Sequence, residues 1–301
     1  MTVALVVATI ALDLVVTRAG QMRPAPPSQR PLLAAHRVSS PAPAADGSQL
    51  AVAGLAPEAC RSFRPTAPAN GHTIFLDPGH GGPDPGGSGQ LADGTPVVEK
   101  AATLAVGLDL SGLLRAAGFR VVMSRVADTA VTRLTDADLD SGALRGSALH
   151  RDLLARIACA NAAGADVLLA IHFNAFEDPT ATGAQTFYDA DRPFADRNLK
   201  LAGSLQSAIT AQLKVDDRGV ASDADLSAPT ITDAGAAYGH LIELGPPEAG
   251  WVDTPSAMPG ALVEPLFLTA PQEASLVATA AGRARIATAL AAGLSAYFSR
   301  S

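Results

Sequence analysis

The sequence has few aromatic residues, few charged residues and no basic run that alternates with aromatic side chains. Aromatic residues make up 4% of the 301 positions and charged residues 17%, whereas hydrophobic residues make up 48%. The 22 basic and 29 acidic residues give a formal charge of -7. This composition argues against a nucleic-acid-binding protein. It predicts a sizeable buried core, in one mid-sized domain with appendages or in two small domains.

Cysteine is also scarce, and Cys60 and Cys159 are the two in the chain. They do not form a Cys-x-x-Cys pair and cannot make a zinc finger on their own. In an oxidising compartment they can form one disulfide, which would tie the segment before the first predicted strand to a helix. The alternative is a pair of unrelated thiols, with Cys159 as a small buried apolar side chain.

The N-terminal segment is apolar but lacks the positive residues that usually precede the core of a signal peptide. Its apolar run is too short for a comfortable membrane span and is broken by Asp13. We interpret residues 1–19 as a signal peptide or a non-cleaved membrane anchor, which predicts export to the periplasm, the cell wall or the extracellular space. Residues 20–71, rich in Pro and Ala, are predicted to be a disordered linker. The folded domain is then expected to cover residues 72–301.

Apolar runs alternate with stretches of helical spacing from residue 72 onward. This alternation indicates an α/β layered sheet, with candidate active residues at the ends of strands. The predicted strands are 73–77, 119–124, 166–172, 183–188 and 238–244, and the predicted helices are 98–117, 148–163, 198–213 and 272–298.

Four residues stand out at the ends of predicted elements: His80, Glu99, His172 and Glu243. The two histidines each follow a predicted strand, Glu99 begins a predicted helix, and Glu243 ends the strand that begins at Tyr238. Because the carboxyl ends of parallel strands collect at one edge of a sheet, three of the four are expected to meet there. The start of a helix can bring Glu99 to the same point.

Two imidazoles and one carboxylate form a three-ligand set that leaves a fourth zinc position open to water. Bound zinc lowers the pKa of that water and polarises a carbonyl, while Glu243 is free to carry the proton to a leaving nitrogen. Each residue also has a simpler interpretation. A His after a strand is often structural, and Glu99 suits the first turn of a helix because of the helix dipole. An ionised Glu243 in an apolar strand is harder to explain, because burying an unpaired charge is costly.

Two further residues are candidates to contact a substrate. Asn174 follows His172 and either binds a polar group of the substrate or ends the strand. His240 alternates with the residues of the predicted Glu243 strand and is expected to line the pocket.

Around these residues the sequence resembles the zinc-dependent type 3 branch of the N-acetylmuramoyl-L-alanine amidases. Four matching pieces stand in the order of that family with suitable spacing, and the resemblance spans about residues 73–298. Any one piece is weak, and the four together are strong. They are Ile74-Phe75-Leu76-Asp77-Pro78-Gly79-His80-Gly81-Gly82, Val98-Glu99-Lys100, Ala170-Ile171-His172-Phe173-Asn174-Ala175 and Leu241-Ile242-Glu243-Leu244-Gly245.

The resemblance implies a mixed, mostly parallel central sheet flanked by helices, in a single catalytic domain. It implies one Zn2+ per chain, held by His80, Glu99 and His172, with Glu243 as the catalytic carboxylate. The implied reaction is hydrolysis of the amide between the lactyl group of N-acetylmuramic acid and L-alanine of the stem peptide, in peptidoglycan or muropeptides, for cell-wall remodelling or septum cleavage. The nearest subtype is the compact, mycobacterial-like one with a single disulfide. Arg133 would contact an acidic stem peptide, or is an exposed Arg with no role.

The stretch after Glu243 departs from the family. The family usually continues with an aromatic residue and an Asn, whereas Pro246-Pro247-Glu248 and an insertion through Gly260 follow here. This departure keeps a second function open, that of a non-catalytic peptidoglycan-binding or regulatory protein on an amidase fold. A third is a zinc peptidase of the stem peptide, for which the zinc chemistry would be the same.

Overall fold

Residues 47–226, 230–231 and 237–299 are described by a computed structural model of the chain. The predicted targeting segment, 1–19, and the first part of the predicted linker lie outside these residues. Among the described helices, none combines the length and the apolar character that a membrane crossing requires.

Eight strands form the central sheet: β1 (Ser48–Gln49), β2 (Ala59–Phe63), β3 (Thr73–Pro78), β4 (Arg120–Arg125), β5 (Val167–Ile171), β6 (Ala184–Tyr188), β7 (Asp217–Ser222) and β8 (Gly260–Glu264). The described helices are α1 (Glu99–Ala116), α2 (Gly146–Ala163), α3 (Ala195–Leu213), α4 (Pro271–Ala278) and α5 (Ala280–Ser299), with short 3-10 helices at Asp136–Asp138 and Asp223–Asp225. Small two-stranded ribbons pair Ser88–Gln90 with Pro96–Val98, Leu139–Asp140 with Ala143–Leu144, and Thr230–Ile231 with Ala237–Tyr238.

The central sheet confirms the predicted α/β fold. Its strand order is β1-β2-β4-β3-β5-β8-β6-β7. The neighbours β4, β3, β5 and β8 run parallel, whereas β2 runs antiparallel to β4 and β6 antiparallel to β8. The carboxyl ends of the four parallel strands therefore lie at one edge of the sheet, which we call the site edge. It carries the residues that follow Pro78, Ile171 and Val263.

Helices and loops cover both faces of the sheet. Helix α5 packs against both α1 and α3, and the three helices share the core on one face of the sheet. Helix α2 and parts of the segment 237–258 cover the other face. Strand β5 is buried along its whole length, with Val167 and Leu169 in the first core and Leu168 and Ala170 in the second. Burial on both faces explains its nearly continuous apolar sequence.

Residues 47–71, which we expected to be part of the linker, contain the strands β1 and β2 in the structure. Strands β1 and β2 extend the sheet, because β2 pairs with β4 along four residues. Ala59, Cys60 and Phe63 are each at most 2% exposed. A short strand of this kind owes its stability to burial against its neighbours. In a Pro- and Ala-rich segment, neither an alternation of apolar and polar residues nor the local strand propensity is strong enough to predict it.

Cys60 on β2 and Cys159 on α2 form the predicted disulfide. Both are fully buried in the core between the sheet and α2. The bond joins positions 99 residues apart in sequence, with Cα atoms 5.7 Å apart. It therefore fastens the edge of the sheet to a helix that also approaches the site edge.

The prediction of a strand from Tyr238 to Leu244 was wrong. Strand structure ends at Tyr238 and the chain then turns, with the N–H of Gly245 donating to the carbonyl of Leu241 at 2.8 Å. The N–H of Leu241 donates to the Asp223 carboxylate at 3.0 Å. These backbone donors are satisfied locally rather than by a sheet. The place beside β5 is taken by β8, which the sequence prediction missed.

Candidate metal centre and its pocket

The structure brings His80, Glu99 and His172 together at the site edge. His80 lies in the loop after β3, His172 directly follows β5, and Glu99 is the first residue of α1. Glu99 Oε1 lies 3.1 Å from His80 Nε2 and 3.1 Å from His172 Nδ1. The two imidazole centroids are 4.8 Å apart. Two ring nitrogens and one carboxylate oxygen are thus within reach of a single ion.

Two glycines allow this close approach of side chains. A Cβ on Gly79 would collide with the ring of His172, and a Cβ on Gly86 would collide with the ring of His80. Gly86 also has φ of 66°, in the left-handed region that favours glycine. His80 itself has φ of 62°, which is uncommon for a residue with a side chain and is held in place by its surroundings.

Two of the three candidate ligands, His80 and Glu99, shift each other's pKa in opposite directions. Burial lowers the pKa of His80, but the Glu99 carboxylate and a hydrogen bond to Asp84 outweigh it and raise the pKa to about 10. Burial acts to raise the pKa of Glu99, yet His80 and His172 hold it far below its usual range. A metal ion competes with the proton for the same imidazole nitrogen. The carboxylate of Glu99, which stabilises the proton on His80, would therefore also stabilise a metal cation at that position.

Backbone and side-chain contacts fix the directions of these ligands. Asp84 Oδ2 lies 2.8 Å from His80 Nδ1, so the other nitrogen of the ring faces Glu99. Glu99 accepts hydrogen bonds from the N–H of Phe173 at 2.9 Å and of Gly87 at 2.6 Å. Partners of this kind set the tautomer and the orientation of a metal-binding imidazole.

A buried ionic network supports the His80 loop from below. Arg156 Nη1 lies 2.8 Å from Asp77 Oδ1, and Arg156 Nη2 lies 2.9 Å from Asp152 Oδ2. The guanidinium also donates to the carbonyl of His80 at 2.9 Å. Burial would raise the pKa of Asp77, but Arg156 holds it below its usual value. Asp77 therefore pairs with Arg156, whereas the carboxylate that contacts the His80 ring is that of Asp84.

Glu264, the last residue of β8, is a buried carboxyl group beside the three ligands. It is 2% exposed, and its Oε2 has no hydrogen-bond partner in the described part of the chain. Burial and the charge of Glu99 raise its pKa to about 8, against the opposing effects of His80 and Arg218. A carboxyl group whose pKa lies near neutrality beside a metal centre is suited to exchange protons during a reaction.

Sequence reasoning missed Glu264, although a signal was present. The apolar run 260–263 ends in Glu264, and Phe267 follows three residues later. This is the carboxylate-then-aromatic order that the resemblance leads one to expect and that is missing after Glu243. The stretch 246–259 is therefore an insertion ahead of the strand β8 rather than an altered continuation of it.

Glu243 lies in the turn after Tyr238 and lines the same pocket as the metal centre. It is 5% exposed, and one of its oxygens has no hydrogen-bond partner among the described residues. Burial and the nearby Asp77 carboxylate raise its pKa well above the usual value, and its carboxyl group is hydrogen-bonded to Asp77. Its assignment as the catalytic carboxylate stays a prediction.

The other predicted contact residues lie in different places. Asn174 lines the pocket, is 2% exposed and has a side-chain nitrogen without a partner in the described structure. Arg133 is exposed and does not line the pocket. His240 is also outside the pocket lining, and its Nδ1 lies 2.9 Å from Asp189 Oδ2. Of the three, only Asn174 is positioned to touch a molecule at the metal centre.

One wall of the pocket is apolar and comes from two elements. Leu149 and Leu153 of α2 face Leu241 and Ile242 of the turn that carries Glu243. Leu262 of β8 also contributes to the pocket lining. The pocket therefore combines polar residues at the site edge with one apolar wall, an arrangement that is common in binding clefts for partly apolar ligands.

Comparison with known proteins links this geometry to one family. The family Amidase_3, described as N-acetylmuramoyl-L-alanine amidase, matches residues 74–296. The germination-specific N-acetylmuramoyl-L-alanine amidase of Bacillus subtilis (strain 168) is 29% identical over 240 residues, which cover 79% of this chain and 84% of that protein. The amidase AmiA of Escherichia coli (strain K12) is 28% identical over 254 residues, 78% of this chain and 80% of its own.

Solved structures show the same fold. The N-acetylmuramoyl-L-alanine amidase from Clostridium difficile 630 superposes with a TM-score of 0.54 at 27% identity, covering 77% of this chain and 98% of that one. The CwlD amidase from Clostridioides difficile, solved in complex with the GerS lipoprotein, gives a TM-score of 0.58 at 24% identity over 76% of this chain and 100% of that one. At 24% identity, the likeness to the CwlD amidase concerns the fold alone.

Proposed function

The chain belongs to the N-acetylmuramoyl-L-alanine amidase family, and from that premise we propose that it is a zinc-dependent peptidoglycan amidase. Its substrate bond would be the amide between the lactyl group of N-acetylmuramic acid and L-alanine of the stem peptide. The observation that carries the proposal is the convergence of His80, Glu99 and His172 beside the buried, unpaired carboxyl of Glu264.

His80, Glu99 and His172 are the residues that would hold one Zn2+. Two imidazoles and a carboxylate are donor types that zinc prefers, and three protein ligands leave room for water or substrate. When bound, the ion polarises the amide carbonyl and lowers the pKa of water. Asp84 holds the second nitrogen of His80 at 2.8 Å, which keeps the first one directed at the centre.

Glu264 is our candidate for the group that moves the proton. As the water oxygen attacks the amide carbon, the carboxylate takes the water proton, and it returns that proton to the nitrogen as the C–N bond breaks. Its Oε2 is free of other hydrogen bonds among the described residues, whereas Glu99 accepts bonds from two backbone N–H groups. Burial and the Glu99 carboxylate raise the pKa of Glu264 to about 8 without an ion, and a bound cation would lower it from there because a positive charge favours the ionised carboxylate. Glu243 is the alternative, and its contact with Asp77 weighs against it.

The pocket walls suit the two ends of such a substrate. The side-chain nitrogen of Asn174 lacks a partner in the described structure and is our candidate donor to a peptide carbonyl. The apolar wall from Leu149, Leu153 and Leu241 would contact the methyl groups of the lactyl and alanyl units. Arg133 lies outside this pocket, so its contact with an acidic stem peptide stays a prediction.

We also propose that the protein is exported and acts at the periplasm or cell wall, in remodelling or septum cleavage. The Cys60–Cys159 disulfide supports this, because disulfides persist mainly in oxidising compartments. A targeting role for residues 1–19 stays a prediction, as does membrane association through them. The single disulfide also supports the compact, mycobacterial-like subtype.

Of the two alternative functions, the non-catalytic one loses its support and the zinc peptidase one keeps it. The non-catalytic alternative rested on the altered stretch after Glu243, and that stretch lies ahead of β8 without interrupting the carboxyl group at the site edge. The zinc peptidase alternative uses the same donors and the same chemistry. Only the identity of the cleaved bond separates it from an amidase.

Matched variants Glu264→Gln and Glu243→Gln test the proposed roles. We expect the first to lower the rate of muropeptide hydrolysis by a factor of about 10² to 10⁴, the usual range for loss of a general acid–base, with zinc content unchanged. We expect the second to retain most of its activity. The reverse pattern would assign the proton transfer to Glu243, and full activity in both variants would contradict the mechanism.

A further inference from the structure

A second group of metal-ligand side chains lies at the edge of the sheet opposite the site edge. Asp189 follows β6 and Asp223 follows β7, and these two strands are parallel to each other. Because β6 is antiparallel to β8, both residues lie near the start of β8 rather than near Glu264. His240 joins them from the segment between β7 and β8. One ligand atom from each of the three lies within 4.8 Å of the others.

The atoms that face one another make no hydrogen bond outside this group of three side chains in the described part of the chain. They are Asp189 Oδ2, Asp223 Oδ1 and His240 Nδ1. Both carboxylate side chains are 0% exposed, and His240 Nδ1 lies 2.9 Å from Asp189 Oδ2 and 3.7 Å from Asp223 Oδ1. Donors about 2.0 to 2.2 Å from a tetrahedral ion lie about 3.4 Å apart. The observed spacing therefore fits an ion after small shifts.

The other polar atoms of the same side chains are already engaged. The N–H of Asp191 donates to Asp189 at 2.7 Å, and the N–H of Leu241 donates to Asp223 at 3.0 Å. The Asp191 carboxylate lies 3.9 Å from His240 Nε2. Outer contacts of this kind orient the ligands of a metal site and leave their inner atoms free to bind.

The charges of the group are unbalanced. Within the described ranges, the ion pairs of Asp189 and Asp223 run to His240, and Arg192 instead donates to the carbonyl oxygens of Leu244 and Gly245. Two buried carboxylates repel each other unless a proton or a cation lies between them.

We propose that Asp189, Asp223 and His240 bind a second divalent transition-metal ion, distinct from the one at the site edge. One imidazole and two carboxylates suit Zn2+ and similar ions, whereas Ca2+ takes oxygen ligands. His240 directly precedes the turn that carries Leu241 and Glu243. An ion here fastens the segment around His240 to the ends of β6 and β7 and so holds one wall of the catalytic pocket in place.

Zinc stoichiometry of the full chain tests the second site. The protein is incubated with excess Zn2+, freed of unbound metal and measured by mass spectrometry for zinc per chain. We expect two equivalents in the wild type and one in Asp223→Asn. The control is Asp225→Asn, because Asp225 is an exposed acid in the same short helix and its replacement makes the same change of charge. We expect that variant to keep two equivalents.

A His80→Asn/His172→Asn variant separates this inference from the proposed function. We expect it to keep one equivalent, which the addition of Asp223→Asn removes. One equivalent of zinc in the wild type and none in Asp223→Asn would support the second site and would show that the His80 site does not bind zinc. Equal zinc content in the wild type and Asp223→Asn would overturn the inference. If Asp223→Asn does not fold, His240→Gln replaces it, and anomalous scattering at the zinc edge from wild-type crystals must show a peak between the three side chains.

Discussion

Glu243 and Glu264 line the same pocket, and the charges around them distinguish their chemistry. Glu264 faces Glu99 and His80, so its protonation is linked to the metal centre. Glu243 faces Asp77 and Arg156, so its proton belongs to the buried network beneath the His80 loop. A proton-transfer group must exchange its proton in each cycle, and Glu264, which faces the candidate ligands, is better placed to do so than Glu243, which faces Asp77.

Replacing Glu243 by Gln should stabilise the fold at neutral pH. The pKa of Glu243 is raised well above the unfolded value of about 4.3, so the folded state holds a proton there that the unfolded state has lost. Wild-type stability from this group is complete below about pH 4.3 and declines as pH rises toward the folded pKa. Glutamine is neutral throughout and still donates to Asp77. The gain in melting temperature should grow from pH 4 to pH 8.

The measurement is thermal unfolding of both proteins in chelator across this pH range. A gain that is largest at pH 4, or a loss at pH 8, would show that the carboxyl of Glu243 is ionised in the fold.

Single residues could be predicted where a local pattern marks them. His80 and His172 follow apolar runs and Glu99 starts a helix, so sequence order alone placed them at one edge of a sheet. Asp84 and Arg156 act through contacts that depend on tertiary structure, since Arg156 and Asp77 are 79 residues apart. Glu264 was passed over because Leu241-Ile242-Glu243 resembles a strand end as closely as Leu262-Val263-Glu264 does.

At the scale of elements, three predicted helices and the strands β3, β4, β5 and β6 are confirmed. The predicted helix 272–298 is instead two helices, α4 and α5, and the prediction missed the inner strand β8 and the strands β1, β2 and β7. Strand β5 shows its burial in an unbroken apolar run. Strand β2 lies next to the outermost strand of the sheet and has no such apolar run. In the turn after Tyr238, the side chain of Asp223 accepts the hydrogen bond from the Leu241 N–H that a neighbouring strand would accept in a sheet. Sequence periodicity and residue propensity cannot predict contacts of this kind, because they depend on residues that are distant in sequence.

A chain shortened to residues 47–301 should fold, whereas one shortened to 72–301 should not fold stably. The second chain loses β1, β2 and the disulfide, and it exposes the edge of β4 and the apolar surface that Phe63 covers. Soluble yield and urea unfolding of the two chains check this. Equal midpoints of unfolding would mean that the domain begins at residue 72 after all.

Replacing both Cys60 and Cys159 by Ser should destabilise the fold by about 2 to 5 kcal/mol, because the bond closes a long loop of the unfolded chain. Neither cysteine lines the pocket, so the zinc content and the rate per folded molecule should stay unchanged. Urea unfolding under oxidising and reducing conditions measures the effect. A midpoint that matches the wild type in oxidising buffer would contradict a stabilising role for the bond.

At the scale of the molecule, one sheet positions two groups of ligand side chains at opposite edges. The parallel strands β3, β5 and β8 deliver His80, His172 and Glu264 to the site edge, and the reversed pair β6 and β7 delivers Asp189 and Asp223 to the other edge. The turn after Tyr238 connects the two groups, with His240 in one of them and Glu243 in the catalytic pocket. The topology thus connects pocket shape to a distant part of the fold.

The most direct test of the amidase function is the identity of the bond that the protein cleaves. Purified peptidoglycan is digested with the zinc-loaded protein, and the products are analysed by mass spectrometry. The account predicts intact stem peptides with a free L-alanine amino terminus, together with glycan chains whose lactyl groups carry free carboxylates. Peptides cut within the stem, or binding to peptidoglycan without any released peptide, would contradict it.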